Sequence, residues 1–282
     1  MGIKIVGVIG SGLMGTGIAQ ACATAGLQVI VRDIDPAALK RCMDAVSSSL
    51  TRLVGKQKLT EAQMAAALAA IRTTTELKDL SGADFIIEAA TENLALKQKI
   101  LKEIESIAGP SCIIATNTSS VSITKLAATL AQPGRFVGMH FFNPVPVMAL
   151  VEIIRAIQTT DATVAATEEL ARTVGKTSIG VKNAPGFVVN RILCPMINEA
   201  IFVLQEGLAS MEEIDAGMKL GANHPIGPLA LADLVGLDTL LAVMNVFYND
   251  FKDPKYRPAP LLQEMVDAGY FGRKSGRGFY KY

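Results

Sequence analysis

The sequence has no tryptophan, two histidines and four cysteines in 282 residues. Cys22, Cys42, Cys112 and Cys194 are widely scattered, form no C-x-x-C pair and have no histidine at metal-ligand spacing, so neither a structural metal nor a disulfide scaffold is expected. Charge of one sign is lacking too: Lys+Arg 27 against Asp+Glu 26 leave a formal net charge of +1, which offers no composition-level attraction to nucleic acid or an anionic membrane. The longest apolar stretch, Leu229–Phe247, is broken by Asp233 and Asp238 and reads as a buried amphipathic helix, not a membrane span. The run Ile3–Ile9 flows into glycines where a secretory signal would have a cleavage site, and Val6 stands where a myristoylation pattern wants Ser or Thr. A reducing, cytoplasmic setting is the expectation.

What the sequence does have is 50% hydrophobic residues, enough for one large core or two modest ones. Short β-rich runs alternate with helical patterns over the first two thirds, the signature of βαβ units. Strands are predicted at Lys4–Ile9, Gln28–Arg32, Phe85–Ala89, Ile113–Thr116, Phe136–His140, Ala149–Ile154 and Thr177–Val181. The close succession of the last three predicts a mixed sheet at that edge. Pro36 to about Leu80 reads as a helical-hairpin insertion broken around Gly55-Lys56-Gln57-Lys58.

Beyond Asn183 the period becomes 3.6 and strands vanish, which predicts an α/β domain over residues 1–184 and an all-α domain over residues 185–282. Ser210 and Glu213 form a capping-box pattern, Pro228 suits a helical first turn, and Pro195 predicts a kink.

Gly10-Ser11-Gly12-Leu13-Met14-Gly15 matches G-x-G-x-x-G, directly follows a strand and opens a helix, and Asp33 ends the next strand. This fingerprint predicts a Rossmann-type doubly wound sheet binding a dinucleotide, with the pyrophosphate against backbone N–H groups. Asp33 would accept hydrogen bonds from the adenosine ribose and repel a 2′-phosphate, favouring NAD, whereas Arg32 beside it could shelter that phosphate. A helix N-cap before Pro36 is the plainer role for Asp33.

Ligands of such sheets sit beyond the carboxyl ends of the strands. Glu92, Asn117, Ser119, His140 and Asn143 all follow strand candidates there. His140 suits a base of near-neutral character for alcohol oxidation, and Glu152, set in an apolar strand, has little reason to be there unless paired. His224, in a turn before Pro225, reads as structural.

Six motifs in order carry a resemblance over essentially the whole chain: the Gly10–Gly15 loop, Ala115-Thr-Asn-Thr-Ser-Ser, Gly138-Met-His-Phe-Phe-Asn-Pro, Asn183-Ala-Pro-Gly-Phe-Val-Val-Asn-Arg, His224-Pro-Ile-Gly-Pro with Gly236-Leu-Asp, and Lys274-Ser-Gly-Arg-Gly-Phe-Tyr. The sequence resembles the short-chain L-3-hydroxyacyl-CoA dehydrogenases, among them the bacterial 3-hydroxybutyryl-CoA dehydrogenases. The resemblance implies His140 as general base paired with Glu152, and Ser119 and Asn190 at the substrate's reacting carbon. It also implies Glu92, Lys97, Asn143 and Lys274 around NAD with Gly10–Gly15 and Asp33, and Ser49 and Lys56 on the CoA portion. Arg52 and Lys56 are spaced i, i+4, so one helix face could present two cations to phosphates. Two rival readings are a lysine-dependent dehydrogenase of small free acids and a reused fold without catalysis. The apolar content of the small second domain predicts a homodimer.

Overall fold

The computed structural model describes residues 2–282 and divides into two units, separated between Asn183 and Ala184. In the first, eight strands form one sheet: β1 (Ile5–Ile9), β2 (Gln28–Arg32), β3 (Ile71–Thr74), β4 (Phe85–Glu88), β5 (Ile113–Thr116), β6 (Phe136–Phe141), β7 (Leu150–Arg155) and β8 (Thr177–Lys182). Their order is β3-β2-β1-β4-β5-β6-β7-β8, parallel except for the antiparallel β6–β7 pair. The mixed edge expected from the crowded strand candidates is therefore present.

Alternation of side chains across the strands builds two apolar layers. Val6, Val8, Val29, Val31, Phe85, Ile87, Met139 and Phe141 share one core with Ile18 of α1 (Leu13–Thr24), Leu39, Val46 and Leu50 of α2 (Pro36–Gly55), and Ala67 of α3 (Glu61–Ala69). Ile86, Ile114 and Phe136 have the opposite parity and are fully buried, with α4 (Leu94–Ile107) and α5 (Ile123–Ala127) packed against β5 and β6. A final helix of this unit, α6 (Asp161–Thr173), packs on β7 and β8.

The insertion is helical for less of its length than its composition suggests. After α2 and α3, which is started by a Thr60/Gln63 capping box, Ile71-Arg72-Thr73-Thr74 pairs with β2 as the sheet's outermost strand. The β-branched content of this segment and the open edge of β2 outweigh the helical context before it. Asp35, not Asp33, caps α2, its side chain accepting from the Ala37 amide.

The second unit is helical: α7 (Val189–Gln205), α8 (Met211–Gly221), α9 (Pro228–Val235), α10 (Leu237–Phe251) and α11 (Pro260–Asp267). Pro195 lies inside α7, Ser210 and Glu213 close their capping box on α8, and Pro228 opens α9. The apolar stretch Leu229–Phe247 is not one helix. Gly236, at φ +99, ends α9 and starts α10, which bends the pair by 96°. Among the described residues no single helix is long and apolar enough to cross a membrane. Leu229, Ala232, Leu237, Leu240, Met244 and Phe247 from this pair are fully buried in the core of the unit.

Two buried carboxylates fasten this unit. Asp215 of α8 accepts from the Leu229 and Ala230 amides at the start of α9 and from the Tyr280 hydroxyl. Asp233 accepts from the Phe279 and Tyr280 amides and the Tyr282 hydroxyl.

Candidate active site

Parallel strands diverge to either side of β1 and β4, which makes their carboxyl ends the switch point where a doubly wound sheet leaves a crevice. The glycine loop sits there, and each glycine answers a different constraint. Gly10 has φ +96, and a Cβ on it would lie 2.6 Å from the Ala90 backbone. A Cβ on Gly15 would lie 1.8 Å from the Gly10 carbonyl oxygen, so the helix could not pack on the loop. Gly12 meets nothing within 4 Å, and its φ of −68 is open to any residue. Nothing in the protein requires glycine at position 12; the space it leaves suits a group that is not protein.

That group is an anion by its surroundings. Helix α1 begins at Leu13 with no side-chain cap and no acidic residue in its first turn, and the first amides of a helix have no intrahelical acceptor. Leu13 is 73% exposed beside a cavity of about 230 Å3 that it lines together with Met14, Ala90, Glu92, Lys97 and Asn117. These features fit the pyrophosphate and adjoining ribose of a dinucleotide.

Asp33 stands at the end of β2. Burial works to raise its carboxyl, but the backbone amide of Ser11, the Ser11 hydroxyl and the amides of Asp35 and Ile34 outweigh it and hold the group below the ordinary aspartate range. Both Ser11 donors reach Oδ2, at 2.8 and 2.7 Å. Arg32 turns away from this role in one respect: its Nε donates to the Thr75 carbonyl at 3.3 Å.

At the ends of β4, β5 and β6 the polar residues form linked pairs. Glu92 accepts from the Thr118 hydroxyl at 2.5 Å and from the Ser119 amide at 3.0 Å. The Ser119 hydroxyl is 3.4 Å from the same carboxylate. Asn117 is buried and its Oδ1 accepts from the Phe141 amide at 2.8 Å, which ties the end of β5 to β6. Asn143 is exposed in the loop after β6. That loop is held by the Lys176 ammonium, which donates to the Val145 and Met148 carbonyls at 2.6 and 2.8 Å.

His140 belongs to β6 and Glu152 to β7, directly opposite in the antiparallel register. Met139 and Phe141 enter the first core, so His140 points to the other face of the sheet. Its Nδ1 is 2.8 Å from Glu152 Oε2, with the residues 6% and 0% exposed. The Phe142 ring packs against the imidazole, with centroids 4.6 Å apart. With Glu152 as carboxylate, Nδ1 carries the proton, which fixes the tautomer of the ring.

In the helical arm, Ser49 is half-buried on α2 and Arg52 is exposed in its last turn, donating to the Ser48 hydroxyl at 3.0 Å. Lys56 is exposed at the C-cap, one residue past α2, so the two cations share a helix end more than a helix face. In the second unit Asn190 occupies the first turn of α7, and the Lys274 ammonium lies 2.7 Å from Asp238 Oδ2.

One residue of this crevice escaped the sequence reading: Glu88, the last residue of β4, is fully buried and paired with Lys97 at 2.7 Å. The signal was available, since a carboxylate closing the apolar run Phe85-Ile86-Ile87 is the same anomaly that marked Glu152.

Both units match known protein families. Residues 5–184 match the 3-hydroxyacyl-CoA dehydrogenase NAD binding domain, and residues 186–282 match the 3-hydroxyacyl-CoA dehydrogenase C-terminal domain. A 3-hydroxybutyryl-CoA dehydrogenase from Bradyrhizobium diazoefficiens is 50% identical over 99% of this chain and 96% of its own. Another from Clostridioides difficile is 48% identical over 98% of both chains. The crystal structure of an (S)-3-hydroxybutyryl-CoA dehydrogenase from Ralstonia eutropha superposes with a TM-score of 0.97 at 65% identity, covering 99% of each chain. The chain belongs to the 3-hydroxyacyl-CoA dehydrogenase family, and its first unit is the NAD-binding domain of that family.

Proposed function

We propose that this dehydrogenase interconverts (S)-3-hydroxybutyryl-CoA and acetoacetyl-CoA with NAD(H), using His140 as general acid and base and Glu152 as its partner. The observation that carries this reading is the buried His140–Glu152 pair, placed by strand register on the same sheet whose carboxyl ends hold the glycine fingerprint. NAD, which the Gly10–Gly15 loop and Asp33 would hold, would supply the hydride acceptor for C3 of the hydroxyacyl group. His140 Nε2 takes the hydroxyl proton in the same direction, and returns it when the ketone is reduced. Glu152 fixes the tautomer and stabilises the imidazolium that forms, which a buried carboxylate at 2.8 Å does well.

Ser119, held through Glu92, and Asn190 orient the substrate oxygen and thioester. Gly10, Gly12, Leu13, Met14, Gly15, Asp33, Glu92, Lys97, Asn117, Asn143 and Lys274 serve the dinucleotide. Ser49, Arg52 and Lys56 serve the CoA phosphates, for which exposed cations at a helix end are suited. The chain acts as a cytoplasmic homodimer through its helical unit.

Nicotinamide absorbance during acetoacetyl-CoA reduction tests this directly, with NADH compared against NADPH and the thioester against free acetoacetate. Rapid NADH oxidation with the thioester alone is expected. Equal turnover of free acetoacetate would overturn the CoA assignment, and no turnover in folded protein would overturn the reaction.

A further inference from the structure

Helix α4 buries the stripe Lys97, Leu101 and Ile104, and the first of these positions would be apolar by its spacing. Lys97 is 1% exposed, and its ammonium donates to Glu88 Oε2 at 2.7 Å and to the Thr116 hydroxyl at 3.3 Å. Glu88 is 0% exposed. Its Oε2 also accepts from Thr116 at 2.6 Å, and its Oε1 from the Ala90 amide at 2.9 Å. Strand register sets this up, because Glu88 and Thr116 are direct partners at the ends of β4 and β5.

Stability alone does not explain such a group. A buried ion pair recovers little beyond its desolvation, and apolar residues of like volume commonly match or exceed it. A cation in the first turns of a helix also opposes the helix dipole. What the arrangement does provide is a fixed ammonium on a residue that lines the dinucleotide cavity together with Leu13, Glu92 and Asn117. An ammonium has three donors, and Glu88 and Thr116 engage two of them.

We infer that Glu88, seconded by Thr116, is a positioning residue for cofactor binding: it anchors and neutralises Lys97 so that the remaining N–H is presented to the bound dinucleotide in one orientation. The same carboxylate grips the Ala90 amide, directly beneath Gly10, and so ties the cavity wall to the glycine loop. The inference rests on the placement of Lys97 at the NAD site given above.

A double-mutant cycle on the whole protein tests it, with NADH binding followed by the cofactor's own fluorescence and KM and kcat measured alongside. Glu88→Gln keeps the shape and the bond from Ala90 and removes the charge. Lys97→Met removes the ammonium and leaves most of the stem. Each variant is expected to weaken NADH about tenfold, the size of one hydrogen bond to a charged group, and for Glu88→Gln the loss should appear in KM for NADH with kcat within about threefold. In the Lys97→Met background, Glu88→Gln should then change binding by less than about twofold, because its action runs through Lys97.

Equal losses from Glu88→Gln in both backgrounds would overturn the inference, as would a folded Glu88→Gln variant that binds NADH normally but melts lower. Normal NADH binding by Lys97→Met would instead remove Lys97 from the cofactor site. If Glu88→Gln alone does not fold, the double variant holds no buried charge, and its comparison with Lys97→Met still tests the inference: a change in NADH binding of more than about twofold between those two overturns it.

Discussion

His140 and Glu152 face one another across two antiparallel strands, Nδ1 2.8 Å from Oε2, with the carboxylate fully buried. Directly opposed residues of an antiparallel pair share a face at close range, so backbone register does much of the work of positioning the imidazole.

Replacing His140 by Asn should lower acetoacetyl-CoA turnover by roughly 10²–10⁴-fold, the usual share of acid–base catalysis, with NADH binding retained. Glu152→Gln should fall in the lower part of that range, since the histidine remains but its tautomer is no longer enforced. Steady-state kinetics on variants with wild-type circular dichroism check both, and turnover within about twofold of wild type in either would overturn its role.

Cofactor choice should follow Asp33. Asp33→Ser removes the charge that opposes a 2′-phosphate and should shift the NADPH-to-NADH ratio of kcat/KM upward by about tenfold or more. An unchanged ratio would move the discrimination elsewhere.

The same residue carries a pH signature. Burial pushes its carboxyl up, and the Ser11, Asp35 and Ile34 donors outweigh that to leave it low. A carboxyl lower in the folded than in the unfolded state adds stability above its unfolded value and loses it as pH falls through the folded one. The stability gap between wild type and Asp33→Asn should be full at neutral pH and shrink below about pH 4. Denaturant midpoints across that interval measure it; a gap that widens on acidification contradicts the assigned donors.

All four cysteines should be silent in the native protein. Burial pushes the Cys22 and Cys194 thiols up to about 12 and Cys112 up to about 11, and raises Cys42 as well. The thiolate is the reactive form, so a chromogenic disulfide reagent at mildly alkaline pH should find four thiols only after denaturation. Rapid labelling of the folded chain would mean that one of these sites opens.

The glycine loop offers a cleaner separation of binding from folding. Gly12→Ala should leave thermal stability unchanged, since its Cβ meets nothing, and weaken NADH by about tenfold or more. Gly15→Ala should destabilise the protein by several kcal/mol, on the order of a severe backbone clash. Calorimetry and NADH titration on the pair distinguish the two effects.

Much of this was legible in the residues because the chemistry is local. The fingerprint, its strand and its helix lie within Ile5–Thr24, and periodicity places His140 near a strand end without any knowledge of its neighbours. Ile71–Thr74 was hidden because a four-residue strand is decided by the free edge of β2, a partner some forty residues away in sequence. The break at Gly236 was hidden because the apolar pattern continues through it, and only the backbone angle of +99 announces the turn. Glu88 and Lys97 are nine residues apart, but their contact requires α4 to descend onto β4, which no single-segment pattern contains.

The three glycines of one short loop therefore answer to different selective filters. A library sorted for soluble, folded protein alone would hold Gly10 and Gly15, whose neighbours forbid a side chain, and would let position 12 drift freely. Only a library sorted for cofactor use would restore glycine there, so the divergence at that single position records whether a descendant of this chain still works as a dehydrogenase.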